Sequence, residues 1–318
     1  MDEPMTSHGA RAAPIPALEL RALQQRSNAK GLARLAGHLA AIASTCALYA
    51  LAIERAAPWP LVAVALLAYG FTLVTMFAAM HETVHRTAFS SLSLNNGVAW
   101  FAGLLSFYNS TFYRHYHGWH RRFTQIPGKD PELEDLKPTS LWTYAIEISG
   151  SSWWLGKLHT HAALARGHTA AYGFLTEKTA PEAVRSVRLQ LASYGAAIAL
   201  SFALGSPYFF VYWLLPVAAG QPLLRAILLA EHNGCSQDDD AMSNTRTTYT
   251  VWPVRFLMWE MPYHAEHHRY PALPFFALRR AHDTMERRLA HVARDGYLGF
   301  HRALLAQLRP APRSRAAP

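Results

Sequence analysis

The chain has 318 residues, of which 51% are hydrophobic and only 16% charged, and its formal net charge is +9. A typical soluble domain is about a quarter charged, so this composition favours a protein with long apolar segments. The basic residues flank those segments instead of forming one basic face, which favours a lipid surface over nucleic acid as the partner. Two cysteines, Cys46 and Cys235, exclude a disulfide framework and a metal site made of cysteine alone.

The amino-terminal third predicts an arm followed by a membrane hairpin. Residues 1–32 contain basic residues but no signal-peptide apolar core, which predicts a cytoplasmic arm. Residues 35–53 and 59–80 then carry no formal charge. Because a helix needs about 20 apolar residues to cross a bilayer, and only a short turn separates these two segments, we predict a helical hairpin.

A second hairpin is predicted at residues 189–205 and 207–230. Between the hairpins, residues 97–108 are apolar but too short to span, which favours a re-entrant or interfacial helix. Residues 141–164 mix tryptophans with polar side chains, as expected of a helix at the level of the lipid headgroups. The Pro- and Arg-rich residues 306–318 predict a disordered tail.

The distribution of basic residues predicts the orientation of the hairpins. Lys and Arg are concentrated in the amino terminus, the segment between the hairpins and the carboxyl-terminal part, whereas the hairpin turns carry few. Under the positive-inside rule, both termini and the central segment lie in the cytoplasm. The domain between the arm and the tail, residues 33–305, is therefore predicted as one membrane domain.

Histidine is unusually frequent, with 17 residues, and eight of these lie in clusters on the predicted cytoplasmic side, most of them within a turn or two of a predicted membrane boundary. The eight are His81, His85, His117, His120, His232, His264, His267 and His268. Histidines three or four apart share one face of a helix, so both imidazoles of such a pair can meet one metal ion. Imidazole suits iron, zinc, copper and nickel, so the spacing predicts a metal site without selecting the metal.

Three histidine clusters in this order, separated by two apolar hairpins, resemble the histidine boxes of the membrane fatty-acid desaturase and hydroxylase superfamily. The resemblance covers roughly residues 33–290 and includes the segments HETVHRTAF, FTQIPGKDPEL, NTRTT and MPYHAEHHRYPALPFFAL. It implies an all-α integral membrane fold with two transmembrane helical hairpins under a cytosolic helical cap. It also implies that the eight histidines hold two non-haem iron ions in that cap, with O2 as co-substrate.

The resemblance further implies an oxidoreductase that acts on a fatty acyl or similar lipid chain taken from the bilayer. Desaturation is the leading reaction. Hydroxylation, or oxidative decarboxylation of a fatty acid to a terminal alkene, begins in the same way and stays open. No segment resembles a fused electron carrier, so an external donor such as a ferredoxin with its reductase is implied. The bacterial character of the motifs implies the inner membrane, with the active site on the cytoplasmic side.

The second histidine box departs from the family pattern. The family usually has two adjacent histidines there, whereas this chain has His120 followed by Arg121. A guanidinium has no available lone pair, so Arg121 cannot be a ligand, and the set is predicted to be one ligand short. Under this hypothesis, Arg121→His would raise iron occupancy, unless a local adjustment of the backbone brings in His115.

Several polar residues are candidates for orienting the ligands or binding substrate. Glu82, Glu231 and Glu266 are each adjacent to a predicted ligand, and carboxylates often orient a ligating imidazole. Asn244 lies in a polar loop between ligands. Arg225 lies inside the last predicted span, where a charge is costly and often functional; it can pair with Glu231, bind a substrate carboxylate or extend to the interface.

A hydrolase is the remote alternative. The segment HETVH fits the H-E-x-x-H pattern, in which two histidines bind zinc and the glutamate, here Glu82, acts as general base. A membrane metalloprotease or other zinc hydrolase needs only three protein ligands. The remaining clustered histidines would then have no role, which favours the oxygenase.

Overall fold

The computed structural model describes residues 14–133 and 137–309. Of the predicted arm and tail, residues 1–13 and 310–318 lie outside the described residues. The described residues form the helices α1 (Ala17–Leu23), α2 (Asn28–Glu54), α3 (Trp59–Val74), α4 (Met76–Val84), α5 (Leu92–Ser106), α6 (Ser110–Phe123), α7 (Leu141–Ser149), α8 (Ser151–Ala165), α9 (Ala180–Ala203), α10 (Leu215–His232), α11 (Trp252–Leu257), α12 (His264–Arg269), α13 (Phe275–Met285) and α14 (Gly296–Gln307).

The predicted all-α class is confirmed. Two strands of two residues each, β1 (Thr247–Thr248) and β2 (Val292–Ala293), pair in parallel and are the only sheet in the described part of the chain. Five residues in π-helical conformation, Phe210–Leu214, lead directly into α10. Helices dominate because the long segments are apolar and uninterrupted, so their backbone groups must be satisfied within each segment.

Three segments within the described residues are long and apolar enough to cross a membrane: Asn28–Glu54, Trp59–Val84 and Phe210–His232. Two of them contain the predicted spans 35–53 and 59–80, and the third overlaps most of the predicted span 207–230. The fourth prediction, residues 189–205, falls in the carboxyl-terminal part of α9, which does not reach the same apolarity. This helix begins at Ala180, and its first turns carry charged side chains, so the uncharged stretch on which the prediction rested is only part of a more polar helix.

The helices α3 and α10 pack against each other through two glycines. A Cβ added at Gly70 would collide with the carbonyl oxygen of Pro216, and one added at Gly220 would collide with the carbonyl oxygen of Gly70. The Tyr69 hydroxyl also donates a hydrogen bond to the Tyr212 carbonyl oxygen at 2.7 Å. Small residues let membrane helices approach closely, and this contact fixes the position of α10, which ends at His232.

The segment between the membrane hairpins contains more breaks than predicted. Residues 141–164 form two helices, α7 and α8, separated by Gly150, whose φ of +75° is the left-handed conformation that glycine adopts without steric cost. The predicted short helix at residues 97–108 is α5, which begins at Leu92 and packs along α4. Every residue of α4 is buried, so this helix lies at the centre of the protein.

Candidate metal centre

The first cluster of imidazoles consists of His81, His85, His117 and His267. The first two lie at the carboxyl end of α4, and the others lie on α6 and α12. The Nε2 atoms of His81 and His117 are 2.9 Å apart, and those of His267 and His85 are 3.1 Å apart. One ring nitrogen from each of the four lies within 4.8 Å of the others, an arrangement that can hold a metal ion.

The second cluster consists of His120, His232, His264 and His268. The ring nitrogens of His120, His232 and His268 lie within 4.8 Å of one another. His264 completes the cluster, since its Nε2 is 3.3 Å from Nε2 of His232 and its ring centroid is 4.5 Å from that of His268. The two clusters are adjacent, with 5.5 Å between the ring centroids of His117 and His120.

The chemical state of these imidazoles fits a bound metal. Burial, reinforced by neighbouring cationic groups, lowers the pKa of His85, His117, His264, His267 and His268 well below the usual histidine value. They are therefore neutral, the state in which imidazole binds metals. Nδ1 of His264 and Nε2 of His268 are buried without a hydrogen-bond partner, and buried polar atoms of this kind usually have one.

Four of the ligand candidates are held through their Nδ1 atoms, which leaves Nε2 facing the clusters. Nδ1 of His120 donates to Asp130 at 2.8 Å, and that of His232 donates to the Asn244 carbonyl oxygen at 3.1 Å. The hydroxyl of Thr124 lies 3.3 Å from Nδ1 of His268, and the hydroxyl of Tyr113 lies 3.5 Å from Nδ1 of His117. Such partners fix the tautomer and the ring orientation of a metal-binding histidine.

Asp130 is the strongest of these partners. Its second carboxylate oxygen accepts a hydrogen bond from the backbone N–H of Gln125 at 2.7 Å. Burial alone raises the pKa of the Asp130 carboxyl, but its hydrogen bonds with His120 and with the backbone lower that pKa overall. Asp130 is therefore a buried carboxylate that holds the end of α6 and one imidazole together.

We expect Asp130→Asn to weaken metal binding in the second cluster by about 10- to 100-fold, as is typical when the hydrogen-bond partner of a ligating histidine is changed. The amide cannot accept from both His120 and Gln125 as the carboxylate does. Retention of iron against a chelator measures this effect. The exposed Asp283→Asn provides the control, and equal retention in the two variants would contradict the role of Asp130.

The three carboxylates that flank predicted ligands lie in different places. Glu82 accepts hydrogen bonds from the Thr87 hydroxyl at 2.6 Å and from the Phe275 backbone N–H at 3.1 Å. It therefore ties α4 to α13 and contacts neither cluster. Glu231 does reach the second cluster, with Oε2 3.5 Å from Nε2 of His264.

Glu266 is fully buried between two polar side chains that are not predicted ligands. It accepts a hydrogen bond from the Thr247 hydroxyl at 2.5 Å and lies 2.6 Å from Nδ1 of His282, whose Nε2 is 2.8 Å from the Tyr249 hydroxyl. This network attaches α12 to β1 and α13, so Glu266 positions the helix that carries three ligand candidates. His282 was missed because it lies outside the spacing of the boxes.

Arg121 lies beside the second cluster and contacts the backbone of one of its members. Its guanidinium donates to the carbonyl oxygen of His268 at 2.7 Å, and burial lowers its pKa to about 10, so that it stays charged at neutral pH. His264 supplies the fourth imidazole of that cluster. His115 makes no contact with either cluster and lies half-buried on another face of α6.

Arg121→His is therefore expected to lower iron affinity by about 10-fold, at the lower end of the range for residues that support a ligand. The shorter imidazole loses the hydrogen bond to the His268 carbonyl and adds no missing ligand. Iron content after dialysis measures the effect, with the exposed neighbour Arg122→His as the control. An increase in iron content would instead support the hypothesis of a lost ligand.

A cavity of about 660 Å³ opens beside both clusters. His81, His117, His120 and His264 form part of its wall. The rest of the wall combines aromatic and basic side chains, among them Phe77, Tyr108, Phe112, Trp153, Lys157 and Arg225. The volume falls within the range of about 300–1,000 Å³ typical of sites for small ligands.

The sequence did not indicate that two of the residues that line this cavity belong to the site. Tyr108 follows α5, and Lys157 lies on α8. The aromatic and amphipathic character of their segments indicated packing or a membrane surface. Only the tertiary fold brings Tyr108 and Lys157 close to the histidines. Glu132 also lines the cavity, with Oε2 3.6 Å from Nδ1 of His120.

Comparison with known proteins agrees with this arrangement. Residues 57–300 match the model of the family described as "Fatty acid desaturase". A relative from Oryza sativa subsp. japonica, described as "Sphingolipid delta(4)-desaturase DES1-like", is 26% identical over 210 residues, which are 63% of this chain and 56% of the relative. The chain thus aligns with little more than half of that relative's length. Because the family model covers most of the chain, including all eight clustered histidines, the chain belongs to the fatty acid desaturase family.

Proposed function

We propose that this chain is an integral-membrane di-iron oxidoreductase that uses O2 to desaturate a fatty acyl or similar lipid chain. The observation that carries the proposal is the pair of four-imidazole clusters beside one cavity. Each cluster would hold one iron ion, which supplies the O2-dependent oxidising power that an unactivated C–H bond requires. A site for two ions explains all eight clustered histidines, which a single metal ion does not.

The overall reaction defines which electrons, protons and co-substrate must be supplied. Desaturation removes two hydrogen atoms from –CH2–CH2– to give –CH=CH–, and O2 takes up these two hydrogen atoms together with two electrons and two protons to form two molecules of water. The electrons require an external donor, and we propose a ferredoxin with its reductase. Hydroxylation and oxidative decarboxylation to a terminal alkene each consume the same O2, two electrons and two protons, so they remain alternatives on this scaffold.

Side chains of this protein would bind the substrate and orient the metal-binding imidazoles. The aromatic wall of the cavity, including Phe77 and Phe112, provides apolar surface for a hydrocarbon chain. Tyr113 stacks on His117, with 5.2 Å between ring centroids, and fixes the orientation of that imidazole. We propose that the substrate enters from the bilayer and that the clusters lie on the cytoplasmic side of a bacterial inner membrane. The similarity to a relative described as a sphingolipid desaturase supports an amphiphilic lipid as the substrate class.

Zinc-dependent hydrolysis is disfavoured by the position of Glu82. In that mechanism the glutamate of H-E-x-x-H must reach a metal-bound water. Here its carboxylate is hydrogen-bonded to Thr87 and to the backbone of Phe275 instead. The hydrolase hypothesis therefore lacks its general base.

Product analysis tests the proposal. Purified protein, reconstituted with ferrous iron, a ferredoxin and its reductase, is supplied with deuterium-labelled fatty acids and O2, and the products are identified by mass spectrometry. We expect an olefinic product that requires both O2 and reductant, with loss of deuterium from the oxidised carbons. Turnover that continues without O2 or reductant would contradict an oxygenase. Hydroxylated products would show that the reaction is hydroxylation and not desaturation.

A further inference from the structure

Glu231 places a carboxylate at the second cluster, on the side that faces the cavity. It precedes the ligand candidate His232 at the end of α10, and only 9% of its surface is exposed. Both Glu231 and His264 line the cavity. A carboxylate that is buried to this degree is costly unless a cation pairs with it or a metal ion binds it, so its surroundings indicate its role.

The two oxygens of this carboxylate make few contacts with the protein. Oε1 is buried and has no hydrogen-bond partner among the described residues. Oε2 lies 3.5 Å from Nε2 of His264, which is longer than the usual 2.7–3.2 Å of an N–H···O hydrogen bond. Arg225 and Lys137 attract the carboxylate electrostatically, whereas Glu132 repels it. The closest polar group at Oε2 is therefore the imidazole of a ligand candidate.

The nitrogen that Oε2 approaches is the one that faces the second cluster. Nδ1 of His232 donates to the Asn244 carbonyl oxygen, which leaves Nε2 for a metal ion, and Nε2 of His264 is 3.3 Å from that atom. Ligand atoms that are about 2.1 Å from one metal ion are separated by about 3.0 Å at right angles and by about 3.4 Å in a tetrahedron. The separations of 3.3 Å and 3.5 Å are close to these values. Oε2 of Glu231 thus lies where a further ligand atom would lie.

A carboxylate at this place also suits the charge of the ion. Imidazoles bind metals in their neutral state, so four of them leave the charge of a divalent ion uncompensated in a buried site. A carboxylate supplies negative charge directly at the ion. Sets of ligands that combine histidine with a carboxylate are typical of non-haem ferrous centres that react with O2.

Glu132 is the other carboxylate close to these histidines. One of its oxygens lies within 4.8 Å of ring nitrogens of His117 and His120. Its Oε2, however, is 3.6 Å from Nδ1 of His120, the nitrogen that donates to Asp130. Glu132 therefore approaches the side of the His120 ring that is already held by a carboxylate, and it provides a matched comparison for Glu231.

We propose that Glu231 is a fifth ligand of the second metal ion and binds it through Oε2 from the cavity side. The other four ligands are His120, His232, His264 and His268. This inference rests on the proposed di-iron function and adds to it a ligand that is not a histidine. A carboxylate can bind a metal ion through one or both oxygens, so Oε1 can join Oε2. The two iron ions then differ in the charge of their ligands.

Infrared difference spectroscopy tests this ligand without turnover. Protein in detergent, with its glutamates labelled with ¹³C at the side-chain carboxyl group, is loaded anaerobically with two equivalents of ferrous iron, and the spectrum of metal-free protein is subtracted. We expect ¹³C-sensitive carboxylate bands that appear on loading, are absent from Glu231→Gln and remain in Glu132→Gln. Their persistence in Glu231→Gln, or their loss in Glu132→Gln alone, would overturn the assignment to Glu231.

Metal affinity provides a second test. Glu231→Gln should weaken metal binding in the second cluster by more than about 100-fold, because changing a residue that only supports a ligand already costs about 10- to 100-fold. The first cluster should keep its ion, which shows that the variant is folded. Glu231→Asp retains a carboxylate and should recover part of the affinity together with the infrared bands. Unchanged affinity of the second cluster in Glu231→Gln would overturn the proposal.

Mössbauer spectra of the ⁵⁷Fe-loaded protein separate this inference from the proposed function. One of two quadrupole doublets should change or disappear in Glu231→Gln, while the other stays the same. Two bound iron ions without a ¹³C-sensitive carboxylate band would overturn the carboxylate ligand and leave the di-iron function standing. An unmodified protein whose second cluster binds no ion would refute the di-iron function and this ligand with it.

Discussion

His267→Ala and His232→Ala are each expected to remove one of two bound iron ions and to reduce turnover by more than about 100-fold. Each residue belongs to a different cluster, so each variant should leave the other cluster loaded. Loss of the partners of ligating histidines already costs about 10- to 100-fold, and loss of a ligand is expected to cost more. Metal analysis together with turnover rates measures both effects.

The matched control is His115→Ala. His115 lies on the same helix as His117 but contacts neither cluster. Iron content and turnover should therefore stay at the level of the unmodified protein. A loss of iron in this variant, or two retained irons in His267→Ala, would contradict the assignment of ligands to clusters.

Gly220→Leu is expected to prevent stable folding. A side chain at this position would collide with the backbone of α3 at Gly70, and neither backbone can move without separating α3 from α10. Overpacking a core typically costs 1–3 kcal/mol, and a collision with backbone should cost on the order of 3 kcal/mol or more. Because α10 ends in His232, the second cluster should be lost with the helix contact.

The control for this variant is Gly195→Leu, since an added Cβ at Gly195 meets nothing within 4 Å. Size-exclusion chromatography of fluorescent fusions in detergent measures the folded fraction of each. Gly195→Leu should give a monodisperse peak and Gly220→Leu an aggregated one. A monodisperse peak for Gly220→Leu with full iron content would show that the helices can separate at this point.

The sequence predicted those features of the fold and the site that depend only on residues close together in the chain. The pair His81 and His85 lies one helical turn apart, and the structure brings both to one cluster as that spacing predicts. The long apolar segments likewise correspond to the three helices that are long and apolar enough to cross a membrane, because length and apolarity are local quantities. The prediction at residues 189–205 does not give the start of α9 at Ala180, because charged residues within a helix do not end it.

The distribution of ligands between clusters depends on long-range packing and was not predictable. His117 and His120 are three residues apart on α6, yet His117 lies with His81, His85 and His267, whereas His120 lies with His232 and His268. His267 and His268 divide in the same way on α12. Predicting such a division requires the relative orientation of the helices that carry the histidines.

The contacts of the carboxylates also depend on long-range packing and could not be predicted from the sequence. Adjacent positions on a helix point about 100° apart, so a glutamate beside a ligand usually faces another neighbour. Glu82 and Glu266 therefore contact residues of α13 and β1, and the carboxylate that does hold a ligand candidate, Asp130, comes from the loop after α6. The contact of Arg121 with the His268 carbonyl oxygen likewise depends on how α6 and α12 pack, which the spacing of the histidines does not predict.

Iron stoichiometry with Mössbauer spectroscopy tests the central claim most directly. Protein expressed with ⁵⁷Fe and purified anaerobically should contain two iron ions per chain, in two nitrogen-rich environments that His267→Ala and His232→Ala remove separately. One iron ion per chain, or stoichiometric zinc with no iron-dependent turnover, would contradict the di-iron account.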